Sequence, residues 1–505
     1  MENELTRLVE LDQTTIQESF SHDESRQPVG FSVAWTIVCT IVVGGGIGLM
    51  VWAYDSLTAL ENVEDPERAL EHIVGRSMDF ESSLTRGSEW EQSFNQALNG
   101  HNDDASTKLI GWYDELIAVS DDPLSTFYAA VLVAEADKLD GMNRRIESWK
   151  GRPSPFPVFR EILQVAYGNT MKSPEEMAVL QARLAEEVPE NWFYSQLALR
   201  LARQAEDSSF ESTIDVHKES RIEQVFWRNR LLMVTEVSLT MVSVLALLFV
   251  MWRRYQMGSV VYRLGEASLP PPWFGRDGFA VLMRGGALTL LFLAGLGALL
   301  GAYFSFIDGG VDSKLMELVS TVMLYAPIPF LLYHYLLRPK GHSLSQVFGL
   351  QLILGKAGIL ILTVLALFAC GMVGDLVISV GGEAIGKTTH WTEWFNDSLV
   401  WGGYGDLTIL FLEVAVLAPI FEEIIFRGIV FGSLRRRFGW LLSALLSATI
   451  FALVHGYGIV GFCAVWWSGF LWAWAYEKTG SLLPGIMAHA LNNFVFLMSL
   501  LVIFR

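Results

Sequence analysis

Residues 413–432 read EVAVLAPIFEEIIFRGIVFG, an apolar stretch with three charged side chains, Glu422, Glu423 and Arg427, near its centre. A helix that spans a bilayer needs about 20 predominantly apolar residues, and this stretch supplies them. Charged side chains at that depth cost several kcal/mol each unless they are compensated, and those that occur usually mark a functional site. The stretch therefore predicts a transmembrane helix that carries functional charges.

The composition of the whole chain predicts a multi-span membrane protein. Of its 505 residues, 52% are hydrophobic, and the mean hydropathy is +0.36. Its three cysteines, Cys39, Cys370 and Cys463, each lie in an apolar run, so the sequence indicates neither a disulfide framework nor a paired-cysteine metal site. The N-terminal segment is acidic rather than basic, so we expect the first apolar run to remain as an anchor.

Nine apolar runs predict nine spanning helices. The runs are 31–54, 231–252, 279–304, 314–337, 350–377, 407–434, 440–456, 459–476 and 482–504. Basic residues follow the second, fourth and sixth runs: Arg253, Arg254, Arg263 and Arg276, then Arg338 and Lys340, then Arg435, Arg436 and Arg437. With nine spans these clusters share one side, which is the positive-inside pattern. We therefore expect a multi-pass plasma-membrane protein with a cytoplasmic N-terminal tail, residues 1–30, and with segment 55–226 outside.

The segment 55–226 is strongly acidic, with 32 Asp and Glu residues against 16 Lys and Arg. That sign of charge argues against nucleic-acid binding. Helix-period stretches such as STKLIGWYDELIAV (106–119) alternate with turns, which predicts helical hairpins, either resembling tetratricopeptide repeats or forming a plain bundle. The predicted fold is thus all-α: a polytopic transmembrane bundle, with its multi-span part at 279–505, and an inserted extracytoplasmic domain that is a candidate surface for a protein partner.

The charges at 422–427 can be assigned by helix geometry. Glu423 and Arg427 are four residues apart, so they share a face and can pair. Glu422 points about 100° away from that face. A carboxylate left unpaired in an apolar site suits a general base that acts near neutral pH. The alternative is a packing ion pair plus a glutamate bound to a neighbouring helix.

Two more predicted helices carry polar side chains in regular patterns. IFALVHGYG (450–458) places His455 four residues after Phe451, and GIMAHALNNFVF (485–496) places His489 and Asn493 four apart on one face. An inward-facing set of Glu, two His and Asn can activate water and stabilise an oxyanion. We therefore predict a catalytic site built from Glu422, His455, His489 and Asn493.

These three segments resemble the motifs of the CAAX protease and bacteriocin-processing family of intramembrane proteases, also called the abortive-infection family. The family pattern is Glu-Glu-x-x-x-Arg, then Phe-x-x-x-His, then His-x-x-x-Asn, on successive transmembrane helices. All positions of this pattern are met by Glu422, Glu423, Arg427, Phe451, His455, His489 and Asn493. The resemblance covers about 400–505 and, more loosely, the spans from 279 onward; it does not extend to 1–275.

The resemblance implies proteolysis of membrane-associated proteins or peptides. Glu422 would activate the water, and His455 would assist it. His489 and Asn493 would polarise the scissile carbonyl and bind its oxyanion. Glu423, Arg427 and Phe451 would support the site. Members of the family are commonly labelled metalloproteases, and Glu422, His455 and His489 are side chains of the type that binds catalytic zinc. A metal-free water activated by glutamate is equally compatible with them.

Other functions remain open on the residues alone. The motif helices are compatible with a non-catalytic scaffold or a bacteriocin-immunity-type binding protein, and Glu and His in a bundle are also typical of proton-coupled transporters. The sequence contains no His-Glu-x-x-His motif. GGYGD (402–406) matches part of an intramembrane aspartyl protease pattern, but we interpret Asp406 as an ordinary residue of a helix N-terminus.

Overall fold

The computed structural model of the chain describes residues 29–56, 59–93, 102–136, 138–168, 172–257, 263–267, 269–306 and 313–505. Every regular element in these ranges is a helix, which confirms the predicted all-α class. The expected cytoplasmic tail, residues 1–30, lies outside the described residues apart from its last two positions.

In chain order the α-helices are α1 (Val33–Ser56), α2 (Pro66–Leu84), α3 (Asn102–Val119), α4 (Pro123–Glu135), α5 (Leu139–Glu147), α6 (Phe156–Tyr167), α7 (Pro174–Glu187), α8 (Trp192–Gln204), α9 (Ser208–Met257), α10 (Gly275–Phe306), α11 (Ser313–Tyr325), α12 (Pro327–Leu331), α13 (Leu344–Val347), α14 (Ala357–Ala384), α15 (Asp397–Trp401), α16 (Tyr404–Leu412), α17 (Ala418–Glu422), α18 (Gly432–Arg435), α19 (Trp440–Leu453), α20 (Ile459–Thr479) and α21 (Leu483–Phe504). Segments of π-helix occupy Leu332–Leu337, Glu413–Leu417 and Glu423–Phe431. Short 3₁₀ turns lie at Ala59–Asn62, Arg338–Lys340, Leu354–Lys356 and Trp391–Glu393.

The chain divides into two compact units. The membrane unit comprises Met1–Leu57, Glu236–Trp394 and Gly402–Met498. The acidic unit comprises Thr58–Thr235, Phe395–Trp401 and Ser499–Arg505.

Helix starts in the acidic unit follow from local sequence. Asp65 and Asp122 each precede a proline, and their side chains accept hydrogen bonds from the backbone N–H three residues later, which caps α2 and α4. Ser173 and Glu176 form a reciprocal capping box at the start of α7. Capping residue followed by proline thus sets where these helices begin.

Five helices in the described ranges are long and apolar enough to cross a membrane: Ser208–Arg253, Gly275–Leu299, Leu354–Ala384, Ile459–Thr479 and Leu483–Phe504. A sixth is reached if the bent pair Val319–Tyr325 and Pro327–Lys340 counts as one span, and Val33–Leu49 and Trp440–Leu453 are apolar but shorter. The chain is therefore a multi-pass membrane protein, while the predicted number of nine spans is not confirmed.

Several predicted spans have different boundaries in the structure, and the run 231–252 lies inside the longer helix α9 (Ser208–Met257). The run 314–337 is not one straight helix: it bends by 46° at Ala326, because Pro327 and Pro329 lack the N–H groups that a continuous helix needs. The run 350–377 begins later, since α14 covers Ala357–Ala384. A hydropathy average includes the mostly apolar residues 350–354 (LQLIL) although they precede the helix.

Three glycines let backbone segments cross closely on one side of the membrane unit. Ala267 donates its N–H to the Gly480 carbonyl at 3.0 Å, and Leu482 donates to the Phe348 carbonyl at 3.0 Å. A Cβ on Gly349 would lie 2.2 Å from the Gly480 carbonyl oxygen, and a Cβ on Gly265 would lie 2.5 Å from the same atom. The crossing fixes the chain just before α21, the helix that carries His489 and Asn493.

Replacing Gly349 by alanine should destabilise the membrane unit more than replacing Gly341. Both glycines have positive φ, +61° and +69°, so each substitution carries the cost of that backbone conformation, roughly 1–2 kcal/mol. Only Gly349 also has a backbone carbonyl in the way, whereas nothing lies within 4 Å of a Cβ on Gly341. Thermal unfolding of the two variants in detergent measures the difference, and equal midpoints would show that the crossing can open without cost.

Candidate functional site

The predicted pairing of Glu423 with Arg427 is confirmed. Arg427 Nη1 donates to Glu423 Oε1 at 2.8 Å, and both side chains have no solvent exposure. Among the described residues, Glu423 Oε2 and Arg427 Nε and Nη2 have no hydrogen-bond partner. The pair is therefore completely buried and only partly satisfied by hydrogen bonds.

Two aromatic rings also pack against the guanidinium group of Arg427. Its guanidinium carbon lies 4.1 Å from the centre of the Phe451 ring and 5.0 Å from that of Trp472. A cation against ring faces is attracted by their quadrupoles, most strongly where water is excluded. Gly469 leaves the space for this arrangement, because a Cβ there would lie 2.8 Å from Arg427 Nη2 and 3.0 Å from the Phe451 ring.

His489 lies between the two glutamates. Its Nδ1 is 3.2 Å from Glu423 Oε1, and its Nε2 is 3.8 Å from Glu422 Oε2. Since a carboxylate only accepts, Nδ1 carries the proton in the contact with Glu423, and Nε2 is directed towards Glu422. The ring stacks on Trp472 with centres 4.0 Å apart and planes 18° apart, which fixes its orientation.

His455 lies two residues beyond the end of α19, in the turn before α20, rather than inside a helix. Its Nδ1 is 2.7 Å from the Phe451 carbonyl oxygen, so Nδ1 donates and Nε2 keeps its lone pair. The ring meets the Phe451 ring edge to face at 4.7 Å. Phe451 thus contacts His455, Arg427 and His489, the last with ring centres 6.0 Å apart.

Asn493 is held by an irregularity of residues 404–435, the motif helix or motif segment, in which α-helical and π-helical turns alternate. Its Nδ2 donates to the Val414 carbonyl at 2.9 Å, inside the π-helical segment Glu413–Leu417. In π geometry the partner of that carbonyl would be the N–H of residue 419, which is a proline and has none. Asn493 satisfies the acceptor that Pro419 leaves open, and the second hydrogen of its amide stays available for another acceptor.

Glu422 has a partner that the motifs do not contain. The Tyr325 hydroxyl donates to Glu422 Oε1 at 2.9 Å, across 97 positions of sequence. Sequence reasoning missed Tyr325, since a tyrosine at the end of an apolar run is ordinary in a membrane protein. The one local signal is that Tyr325 directly precedes Ala326 and Pro327, since a proline predicts the end of a helix and the last residue of a helix can direct its side chain away from the helix face.

The side chains of the type that binds catalytic zinc do not form a preorganised metal site in the described part of the chain. Within the described ranges, no three His, Cys, Asp or Glu side chains gather in a group that could hold a metal ion, and Glu422, His455 and His489 all belong to those ranges.

Asp406 has the ordinary role that we expected. The N–H of Gly403 donates to Asp406 Oδ2 at 2.6 Å, and α16 begins at the next residue, Tyr404. This carboxylate satisfies a backbone donor at a helix N-terminus.

Comparison with known proteins gives two matches. Residues 405–495 match the family described as type II CAAX prenyl endopeptidase Rce1-like. The chain is also similar to a protein of Bacillus subtilis (strain 168) named "Putative membrane peptidase YdiL", with 31% identity over 155 residues, which are 30% of this chain and 58% of that relative. The chain thus spans less than two thirds of the relative's length. No solved structure matches it.

Removing the cation of the buried pair should unfold the protein more easily. Arg427→Met keeps much of the side-chain volume but leaves Glu423 without its main compensating charge, so we expect a loss of about 3–5 kcal/mol in stability. Adding Glu423→Gln removes the stranded charge and should restore part of that loss. Thermal unfolding in detergent reports both effects.

The control for this prediction is the exposed pair of Lys150 and Glu147, whose side chains are 62% and 55% accessible. Lys150→Ala should change stability by less than about 0.5 kcal/mol, as surface pairs usually do. If Arg427→Met were as harmless as this control, the pair would have to be hydrated in solution.

Proposed function

We propose that the chain, whose residues 405–495 match the type II CAAX prenyl endopeptidase Rce1-like family, is an intramembrane endopeptidase that hydrolyses peptide bonds of membrane-associated proteins or peptides. The observation that carries the proposal is the arrangement around His489. Two glutamates face its two ring nitrogens, one at 3.2 Å and one at 3.8 Å. Only Glu423 of these two is engaged by Arg427.

The separation between Glu422 Oε2 and His489 Nε2 suits a water molecule. At 3.8 Å the two atoms are too far apart for a direct hydrogen bond. A water at about 2.8 Å from each would lie to one side of the line that joins them. That position places the nucleophile next to the carboxylate that is to deprotonate it.

The proposed reaction follows from these positions. Glu422 takes a proton from the water while its oxygen attacks the scissile carbonyl carbon, and His455 assists through Nε2. The resulting oxyanion is stabilised by the remaining N–H of Asn493 and by His489 in its doubly protonated form, in which Nδ1 donates to Glu423 and Nε2 donates to the oxyanion. Collapse of the intermediate breaks the C–N bond, and Glu422 gives its proton to the leaving amine.

The rest of the motif supports this chemistry without touching the substrate. Glu423 holds His489 by Nδ1, and Arg427 compensates Glu423. Phe451 packs against both Arg427 and His455, so it links the first motif to the second. A shift in any of these contacts would move a reacting group by a fraction of an ångström, and such shifts are costly for catalysis.

Glu422→Gln should abolish most of the activity without unfolding the protein. Glutamine keeps the size of the side chain and can still accept the Tyr325 hydrogen bond, but it cannot take a proton from water. We expect cleavage to fall by about 10² to 10⁴, the usual contribution of a general base. Comparing the membrane proteomes of cells that carry wild type and Glu422→Gln identifies substrates and measures the loss.

Glu413→Gln is the matched control, since Glu413 is a second carboxylate on the same motif segment and is bonded to the Thr321 hydroxyl. It should leave fragment patterns unchanged. Equal losses in both variants would show that cleavage does not depend on Glu422 in particular. Identical patterns in wild type and Glu422→Gln would favour a non-catalytic scaffold.

We also propose the orientation that the basic clusters indicate, with segment 55–226 outside the cell. In a chain whose cysteines Cys39, Cys370 and Cys463 are replaced, single cysteines at Lys150 and Arg437 report on the two sides; both positions are exposed. A membrane-impermeant thiol reagent should label Lys150→Cys in intact cells and Arg437→Cys only after permeabilisation. The opposite pattern would reverse the topology.

A further inference from the structure

Tyr325 lies at a break in the helix that precedes the motifs. It is the last residue of α11, and the chain bends by 46° at the next residue before α12 begins at Pro327. It belongs to none of the three motifs and lies outside residues 405–495, which match the protease family. Its contacts nevertheless lead directly to the proposed general base.

Tyr325 contacts two consecutive residues of the motif helix. Its ring stacks on Phe421 with centres 5.6 Å apart and planes 6° apart, and its hydroxyl donates to Glu422 Oε1 at 2.9 Å. The stack fixes where the tyrosine ring lies, and the hydrogen bond fixes the rotation of the carboxylate. Without this hydrogen bond the carboxylate group of Glu422 would be free to rotate about its side-chain torsions.

The hydrogen bond from Tyr325 gives the two carboxylate oxygens of Glu422 different roles. Oε1 is occupied by Tyr325, while Oε2 faces His489 Nε2 at 3.8 Å. A carboxylate that rotated freely would present each oxygen in many directions. With Oε1 anchored, Oε2 stays on the side where the water would be deprotonated.

We propose that Tyr325 is a positioning residue for peptide hydrolysis, which orients Glu422 by binding Oε1 and thereby directs Oε2 towards the nucleophilic water. This assignment rests on the proposed function. Tyr325 itself neither contacts the reacting atoms nor exchanges a proton in the reaction. It acts through Glu422, so its removal should slow the chemical step rather than weaken substrate binding.

The same helix provides a close control. One turn before Tyr325, the Thr321 hydroxyl donates to Glu413, so α11 makes two hydroxyl-to-carboxylate bonds to the motif segment. Only the bond from Tyr325 reaches a proposed catalytic group. Thr321→Val and Tyr325→Phe therefore remove the same kind of interaction from the same helix, with different expected effects on catalysis.

The test compares wild type, Tyr325→Phe, Thr321→Val, Glu422→Gln and the double variant Tyr325→Phe with Glu422→Gln on a substrate found by the proteome comparison. Tyr325→Phe keeps the stack on Phe421 and should lower kcat about 10- to 100-fold, the range typical of one hydrogen bond to a charged group, with KM unchanged. The double variant should be no slower than Glu422→Gln, because residues that act as a unit are not additive.

The outcomes separate this assignment from the proposed function. If wild type cleaves, Glu422→Gln does not, and Tyr325→Phe is as active as Thr321→Val, the positioning role is wrong and the protease stands. A loss in Tyr325→Phe that comes with a lower unfolding temperature and a raised KM would show a structural role and also overturn the assignment. If Glu422→Gln cleaves as well as wild type, both the proposed function and the role of Tyr325 fall.

Discussion

The proposed site depends on a charge pair that is removed from water. Burying two ions costs several kcal/mol each, and Coulomb attraction repays this only when the geometry is good and the remaining polar atoms are compensated. In this chain Glu423 and Arg427 make one 2.8 Å hydrogen bond, and the cation is further compensated by the rings of Phe451 and Trp472. The same Glu423 oxygen holds His489 at 3.2 Å. The pair therefore orders three helical segments around one point.

Irregular helix geometry brings the remaining groups to that point. The motif segment alternates between α and π turns from Tyr404 to Arg435, and each π turn rotates the following residues relative to a regular helix. Pro419 enforces one such departure, and Asn493 satisfies the carbonyl that it leaves open. Short π segments recur at functional sites for this reason: they free backbone groups and redirect side chains without ending the helix.

The sequence was informative wherever the relevant contact is local. Glu423 and Arg427 could be paired in advance, because four residues on a helix place two side chains on one face whatever surrounds them. His455 and His489 lie in different segments, so the sequence could group them only by the polar patterns that recur in apolar helices and by the family resemblance, not by a local contact. Tyr325 could not be assigned to the site from the sequence. Its bond to Glu422 spans 97 positions and depends on a 46° bend inside the run 314–337, which hydropathy predicts as one straight helix.

The groups proposed to react and the group proposed to orient one of them lie in different parts of the chain. The matched segment, residues 405–495, contains the proposed base, both histidines and the amide of Asn493. The hydroxyl that orients the base comes from α11, about eighty residues before that segment begins. A carboxylate can deprotonate water only in the direction in which an oxygen points, so the reacting group and its orientation come from different parts of the chain. In the proposed mechanism the motifs therefore supply the reacting groups, while the helices around them determine how well those groups are aligned.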